Sequence, residues 1–208
     1  MSKKSSTSVA AGPASTSATT TAAPRSARER LLAAAGELFY DEGIHTVGID
    51  RVIERAGVAK ASLYSTFGSK DELVRAYLQE RADGRRERIL TRIARHDEPR
   101  AQIVAVFELM GELAEQPGYR GCAFQRASSE GPPGKRVRSV CEDSRAWTRA
   151  LFTDLARAAG VEAAETLAQQ LQLLYDGAAM GGQMDGGSAP ARAAAVAAAT
   201  LLDAALAG

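Results

Sequence analysis

Cysteine, histidine and net charge are all scarce in this chain, and each scarcity removes a class of protein. Two cysteines in 208 residues, Cys122 and Cys141, cannot build a disulfide framework, so reduced thiols in a cytoplasmic setting are expected. The two histidines, His45 and His96, stand alone, without the spaced partners that a metal site or general base needs. There is no glycine-rich phosphate loop after a strand and no nucleophile elbow; the Gly181-Gly182 and Gly186-Gly187 pairs sit where helices end. No enzyme activity, metal or cofactor is therefore expected. Formal charge is only +1, which excludes a sequence-wide polyelectrolyte attraction to nucleic acid. No strongly apolar core follows Lys3 and Lys4, which argues against a secretory signal. The longest apolar run, Ala193 to Leu202, is too short and too alanine-rich for a bilayer span, so no membrane partner is expected.

Alternating apolar and polar residues, the mark of a strand, are also missing, and no internal repeat is found. Helical periodicity is everywhere instead. Met1 to Pro24 is nearly all Ser, Thr, Ala, Gly and Pro, too poor in apolar groups to offset its ordering entropy, and reads as a disordered arm over 1–24. A first helix is expected from Ser26 to Asp41, with Leu31, Ala35, Leu38 and Phe39 inward and Arg25, Arg28 and Arg30 outward. A long helix starts at Lys70 and runs towards Ile93, with Gly84 as a weak point. Further helices are expected from Pro99 to about Gln116, Tyr119 to about Glu130, Lys135 to Ala159, Val161 to Met184, and from the Ser188 cap with Pro190 to about Leu206, with Gly131–Gly134 a loop. The fold expected is all-α, about nine helices in two unequal groups.

The most informative stretch is Ile49 to Leu73. Ile49, Val52, Ile53 and Ala56 fall on one apolar helical face, and Gly57 breaks the pattern as the residue that accepts a tight inter-helix turn. Leu63 and Phe67, four apart, give the following helix a buried stripe. Its other face shows Lys60, Ala61, Ser62, Tyr64, Ser65 and Thr66, and no acid lies between Val58 and Ser69. A small, hydroxyl-bearing, acid-free face on a helix held by a glycine turn suits the major groove of DNA; an ordinary helical corner has the same spacing. Ser69 and Glu72 form a capping-box pattern that opens the next helix and directs Lys70 and free N–H groups at any neighbouring anion.

The run Gly43…Gly57-Val58-Ala59-Lys60-Ala61-Ser62-Leu63-Tyr64…Phe67-Gly68-Ser69-Lys70-Asp71-Glu72-Leu73 resembles the DNA-binding domain of the TetR family of bacterial transcriptional regulators, over about fifty residues from Arg25 to Tyr77. The resemblance implies a helix-turn-helix domain over 25–73 and an effector-binding and dimerisation domain over 74–208. It implies a homodimer on a double-stranded DNA operator, released by a small molecule, most often a repressor. By the family pattern, Ser62, Tyr64 and Thr66 are groove or backbone contacts and Lys70 a phosphate contact. Gly48 sits where helix N–H groups meet the phosphate chain, Gly57 is the turn, and Leu63 and Phe67 are core. Thr66 stands where many relatives carry His or Tyr, and Ser65 is smaller than the usual residue, so the operator sequence is not implied.

Three further expectations concern the second group. Ala178, Ala179, Gly181, Gly182 and the alanines of the last helix permit close helix approach, which suits a twofold interface through the last two helices. Phe107, Met110, Phe124, Trp147 and Tyr175 are candidates to line a pocket for a largely apolar effector. Cys122, after Gly121 at a helix start, is a candidate reactive thiol with Cys141 to resolve it; packing as a small hydrophobe is the alternative. Arg85, Arg86, Arg88, Arg92, Arg95 and Arg100 crowd one stretch, whereas only Arg157 and Arg192 offset the six acids beyond Ala150. That asymmetry fits either a DNA-facing end or a solvated helix. Two alternatives from other classes stay open: a thiol-based sensor, and a helical small-molecule-binding protein without DNA binding.

Overall fold

The computed structural model of the chain describes residues 26–130 and 134–207, which form nine helices and no strand. The expected N-terminal arm, Arg25, and residues 131–133 of the expected loop lie outside these residues. The helices are α1 (Ala27–Glu42), α2 (Ile49–Ala56), α3 (Lys60–Phe67), α4 (Lys70–Ile93), α5 (Pro99–Ala114), α6 (Ala123–Ser129), α7 (Lys135–Ala158), α8 (Ala164–Met184) and α9 (Ala189–Ala207).

Local chemistry sets most boundaries. Ser26 and Glu29 form a complete capping box at α1. Gly57 takes a left-handed conformation (φ 60°), and its N–H and that of Val58 satisfy carbonyls at the end of α2. Pro99 opens α5, where its missing N–H costs nothing. The Ser69 cap is only half a capping box: its hydroxyl accepts from the Glu72 N–H, but the Glu72 carboxylate binds Arg75 and Arg136 instead of reaching back. Gly84 does not interrupt α4. The sixth helix begins at Ala123, four residues later than expected, because Gly118 and Gly121 hold positive φ angles of 80° and 82° that an α-helix cannot include. Ser188 precedes α9, but its hydroxyl binds the Glu115 carboxylate.

Two apolar cores divide along α4. The first joins Leu31, Phe39, Val52, Leu63, Leu73 and Tyr77 with Phe124, Val137 and Val140 of α6 and α7. The second gathers Ile89 and Ile93 with α5, the later part of α7, α8 and α9 around Phe107, Phe152, Leu171 and Leu202. Cys122 packs against both. Helix α4 thus runs from one core to the other as a single 24-residue rod.

The small residues of α8 serve the interior. Ala178 and Ala179 are buried in the chain's own core, Gly181 lies against Pro190, and Gly182 lies against Ala114 and Tyr119. Helix α8 turns outward Leu173, Gly177, Met180 and Met184, at helical spacing, together with polar residues such as Gln169 and Gln170, and α9 turns outward Ala193, Val196 and Thr200. Leu173, Met184 and Val196 are 67%, 77% and 69% exposed. Helix α9 has 19 residues, longer than its apolar run suggested, and by length and composition alone could cross a membrane.

Candidate nucleic-acid interface and ligand cavity

Helix α3 is pinned by one residue. Leu63 is fully buried in the first core, whereas Phe67 is only partly buried and carries the Arg28 guanidinium 5.7 Å above its ring. Arg30 donates to the Gly57 carbonyl at 3.1 Å, so this arginine braces the inter-helix turn. With that anchoring, Lys60, Ala61, Tyr64, Ser65 and Thr66 are all exposed and Ser62 is half-buried. Ser65 and Thr66 both donate back to the Ser62 carbonyl, at 3.1 and 2.6 Å, which leaves their oxygens outward as acceptors. Lys60 is paired with Asp50 of α2 at 2.9 Å, and that hydrogen bond raises its pKa.

Gly48 is exposed at the start of α2, with nothing near the position a side chain would take. Lys70 is half-buried, its ammonium 6.0 Å from the Phe39 ring centroid. Burial pulls its pKa below the usual lysine range, and the charges of Asp71 and Glu130 partly offset this. The structure brings Gly48, the outer residues of α3 and Lys70 into one helix-turn-helix unit, with Gly48 at the start of α2 and Lys70 at the start of α4.

A second feature lies between the two cores: a cavity of about 360 Å³. Of the five pocket candidates, Met110, Phe124 and Tyr175 line it. Phe107 and Trp147 do not. Phe107 is stacked on Phe152 at 5.8 Å inside the second core, and Trp147 lies half-buried under Arg86 at 5.4 Å. The cavity is also less apolar than expected, since Arg81, Arg85 and Arg88 of α4 and Tyr40 of α1 complete its wall. Spacing of four and three residues places these arginines on one face of α4, a signal present in the sequence but not singled out there. Neither the solvated nor the DNA-facing reading of the arginine run describes the half-buried Arg85, Arg88 lines the cavity while staying exposed, and Arg81 lies outside that run.

The segment from Tyr119 to Phe124 straps this cavity to α1. The Tyr40 hydroxyl donates to the Gly121 carbonyl at 3.1 Å and accepts from the Arg120 N–H at 2.9 Å. Arg126 donates to the Tyr40 carbonyl, and the Glu130 carboxylate accepts from the His45 N–H at 3.0 Å. The Glu72–Arg136 pair adds a link from α4 to α7. Both thiols face a neighbouring cavity of about 380 Å³ that shares Arg85, Cys122 and Phe124 with the first. Burial pushes the Cys141 thiol above its ordinary range, the opposite of activation. Among the described residues no cluster of metal-binding side chains forms.

Residues 31–77 match the model of the bacterial regulatory proteins of the tetR family. A TetR-family transcriptional regulator from Streptomyces coelicolor is 30% identical, with a TM-score of 0.75 over 86% of this chain and 94% of that one. A structure from Streptomyces avermitilis, assigned to the same class of regulator, is 33% identical, with a TM-score of 0.78 over 87% of this chain and 98% of that one. The HTH-type transcriptional activator FasR of Mycolicibacterium smegmatis is 35% identical over 140 residues, 65% of this chain. The match spans 62% of that relative's length.

Proposed function

The chain belongs to the TetR family of bacterial transcriptional regulators, and we propose that it acts in the cytoplasm as a homodimer whose operator affinity is set by a small molecule in the cavity beside α4. Family and relatives are regulators of transcription and not enzymes. The observation that carries the reading is the acid-free outer face of α3, exposed while Leu63 holds the helix in the core. We read residues 25–73 as the DNA-binding part and 74–208 as the effector-binding and dimerisation part. Gly48, Lys60, Ala61, Ser62, Tyr64, Ser65, Thr66 and Lys70 are the proposed contacts to DNA.

A second copy would cover the outward face of α8 and α9, where the large apolar side chains of Leu173, Met184 and Val196 are exposed. Twofold pairing through that face would carry two α3 helices on one molecule, and two half-sites about 34–36 Å apart would accept them. The cavity touches α1 through Tyr40 and α4 through its arginines, so an occupant that fits one spacing better than another shifts the population. Release from an operator that blocks a promoter is repression relieved. The FasR relative is named an activator, and for a regulator of that kind the same release would lower transcription.

Fluorescence anisotropy with duplex DNA flanking the chain's own gene tests the reading. Saturable, salt-dependent binding that is lost on mutating Tyr64 and Thr66 together is expected; no preference for that DNA over a random duplex would overturn it. Sedimentation equilibrium giving a monomer at micromolar concentration would overturn the dimer. Mild peroxide leaving both thiols unmodified and DNA binding unchanged would dispose of the thiol-sensor alternative.

A further inference from the structure

The cavity's wall restricts the chemistry of its occupant. Several arginines elsewhere on this fold are paired with acids, among them Arg75 with Glu72, Arg92 with Glu112, Arg100 with Asp203 and Arg145 with Asp176. Arg81, Arg85 and Arg88 form no ion pair among the described residues, and the cavity lining contains no Asp or Glu. The groups that Arg81 and Arg85 meet are neutral. The Arg81 guanidinium lies 4.2 Å from the centroid of the Tyr40 ring and 5.6 Å from that of Tyr77. Arg85 donates to the Ser144 hydroxyl and carbonyl at 2.7 and 2.8 Å and to the Thr148 hydroxyl at 3.1 Å, and sits 4.9 Å from the Phe124 ring centroid. Its Nε is buried with no acceptor. Asp176, the acid next to Tyr175, is already held by Arg145 and Gln172.

The half-buried guanidinium groups of Arg81 and Arg85, without a counter-charge, give a positive potential that an anion would relieve, and the exposed Arg88 adds to it. The phenols on the wall reinforce it: burial pushes Tyr119 up to about 12 and raises Tyr175, so both stay neutral donors. Beyond the arginines, Met110, Leu113 and Phe124 supply apolar surface. We propose that this cavity binds an organic anion, a carboxylate or phosphate on an apolar body, with Arg81, Arg85 and Arg88 as its counter-charges. The proposal rests on reading the cavity as the effector site and gives that site a ligand class.

Isothermal titration calorimetry on the full chain tests it with octanoate against octanamide and phenyl phosphate against phenol, at matched ionic strength. At least one acid should saturate one site per chain and bind ten times or more tightly than its uncharged counterpart, and which acid does so distinguishes carboxylate from phosphate. Arg81→Gln and Arg88→Gln should each weaken it about tenfold, the loss of a charge-assisted hydrogen bond, while Arg88→Lys keeps most of the affinity. Arg85 is left intact because it also holds α7. Neutral compounds binding as tightly as the acids, both Gln variants keeping full affinity, or neither acid saturating by millimolar concentration would overturn the proposal. Operator binding measured in the same samples separates the two readings. An anion that binds without altering DNA affinity defeats the release mechanism and keeps the anion site. Release by neutral compounds alone does the reverse.

Discussion

Replacing Lys70 by Ala gives the sharpest test of how this chain meets DNA. A side chain that neutralises one phosphate contributes about −0.9 to the slope of log affinity against log salt, so two copies in a dimer contribute about −1.8. Between 50 and 200 mM salt, a fourfold change, the wild type should therefore lose about twelvefold more affinity than the variant. Lys70 is suited to this because its ammonium has no carboxylate bound to it and burial already disfavours its charge. A phosphate beside the ammonium would offset that cost. Lys60 makes a contrasting case, since its ammonium must first share or leave Asp50. Lys60→Ala should flatten the slope less than Lys70→Ala, and Asp50→Asn should strengthen binding. The assay is anisotropy over a salt series with circular dichroism as the control for folding. An unchanged slope in Lys70→Ala would refute the phosphate assignment, whatever happened to the affinity at a single salt concentration.

Leu63→Ala should cost about 2–5 kcal/mol in chemical denaturation, the range for a buried leucine, whereas Tyr64→Ala, at a position 48% exposed, should change stability little and lower DNA affinity. Tyr77 and Tyr119 are both pushed up to about 12 by burial; a raised pKa means that their contribution is complete below the unfolded value of about 10 and is lost as pH rises towards 12. Phenolate absorbance should accordingly show these two tyrosines ionising late, together with unfolding, and Tyr77→Phe should make the alkaline loss of stability less steep. Met180→Glu in α8 should leave the melting curve of the subunit nearly intact and shift sedimentation equilibrium towards monomer, because it sets charge on a face that is already exposed, 43% at this residue.

The helix-turn-helix was legible in the sequence because its determinants are local. Gly57, the four-residue spacing of Leu63 and Phe67, and the Ser69 cap all act within a few residues of themselves, and backbone sterics translate them directly into turns and helix starts. The same locality explains the partial failure at Glu72. The capping pattern is correct, but Arg136, 64 residues away, competes for the carboxylate. The cavity was hidden for the same reason. Arg85 finds Ser144 and Thr148 at separations of 59 and 63 residues, so no spacing rule could announce that this arginine turns inward. Size points in the opposite direction: Phe107 and Trp147 are bulky and apolar as a pocket wall requires, and bulk is equally what a packed interior selects. The alanines and glycines of α8 likewise signalled close approach correctly, but the close partners include α9 and α5 of the same chain.

On the proposed mechanism, the strap from Tyr119 to Phe124 is where ligand binding and DNA binding meet. An occupant of the cavity touches the strap and Tyr40 together, and Tyr40 belongs to α1, which shares its core with α3. The energy needed is modest. Coupling between effector and operator sites is typically about 1–3 kcal/mol. The two hydrogen bonds of the Tyr40 hydroxyl, at 3.1 and 2.9 Å, are worth together about 2 kcal/mol at about 1 kcal/mol each. A ligand that favoured the arrangement without them over the one with them would change operator affinity by roughly thirtyfold. Arg126 and Glu130 hold the same end of α1 to α6, so the strap can carry that difference as a unit and does not need any movement of the buried cores.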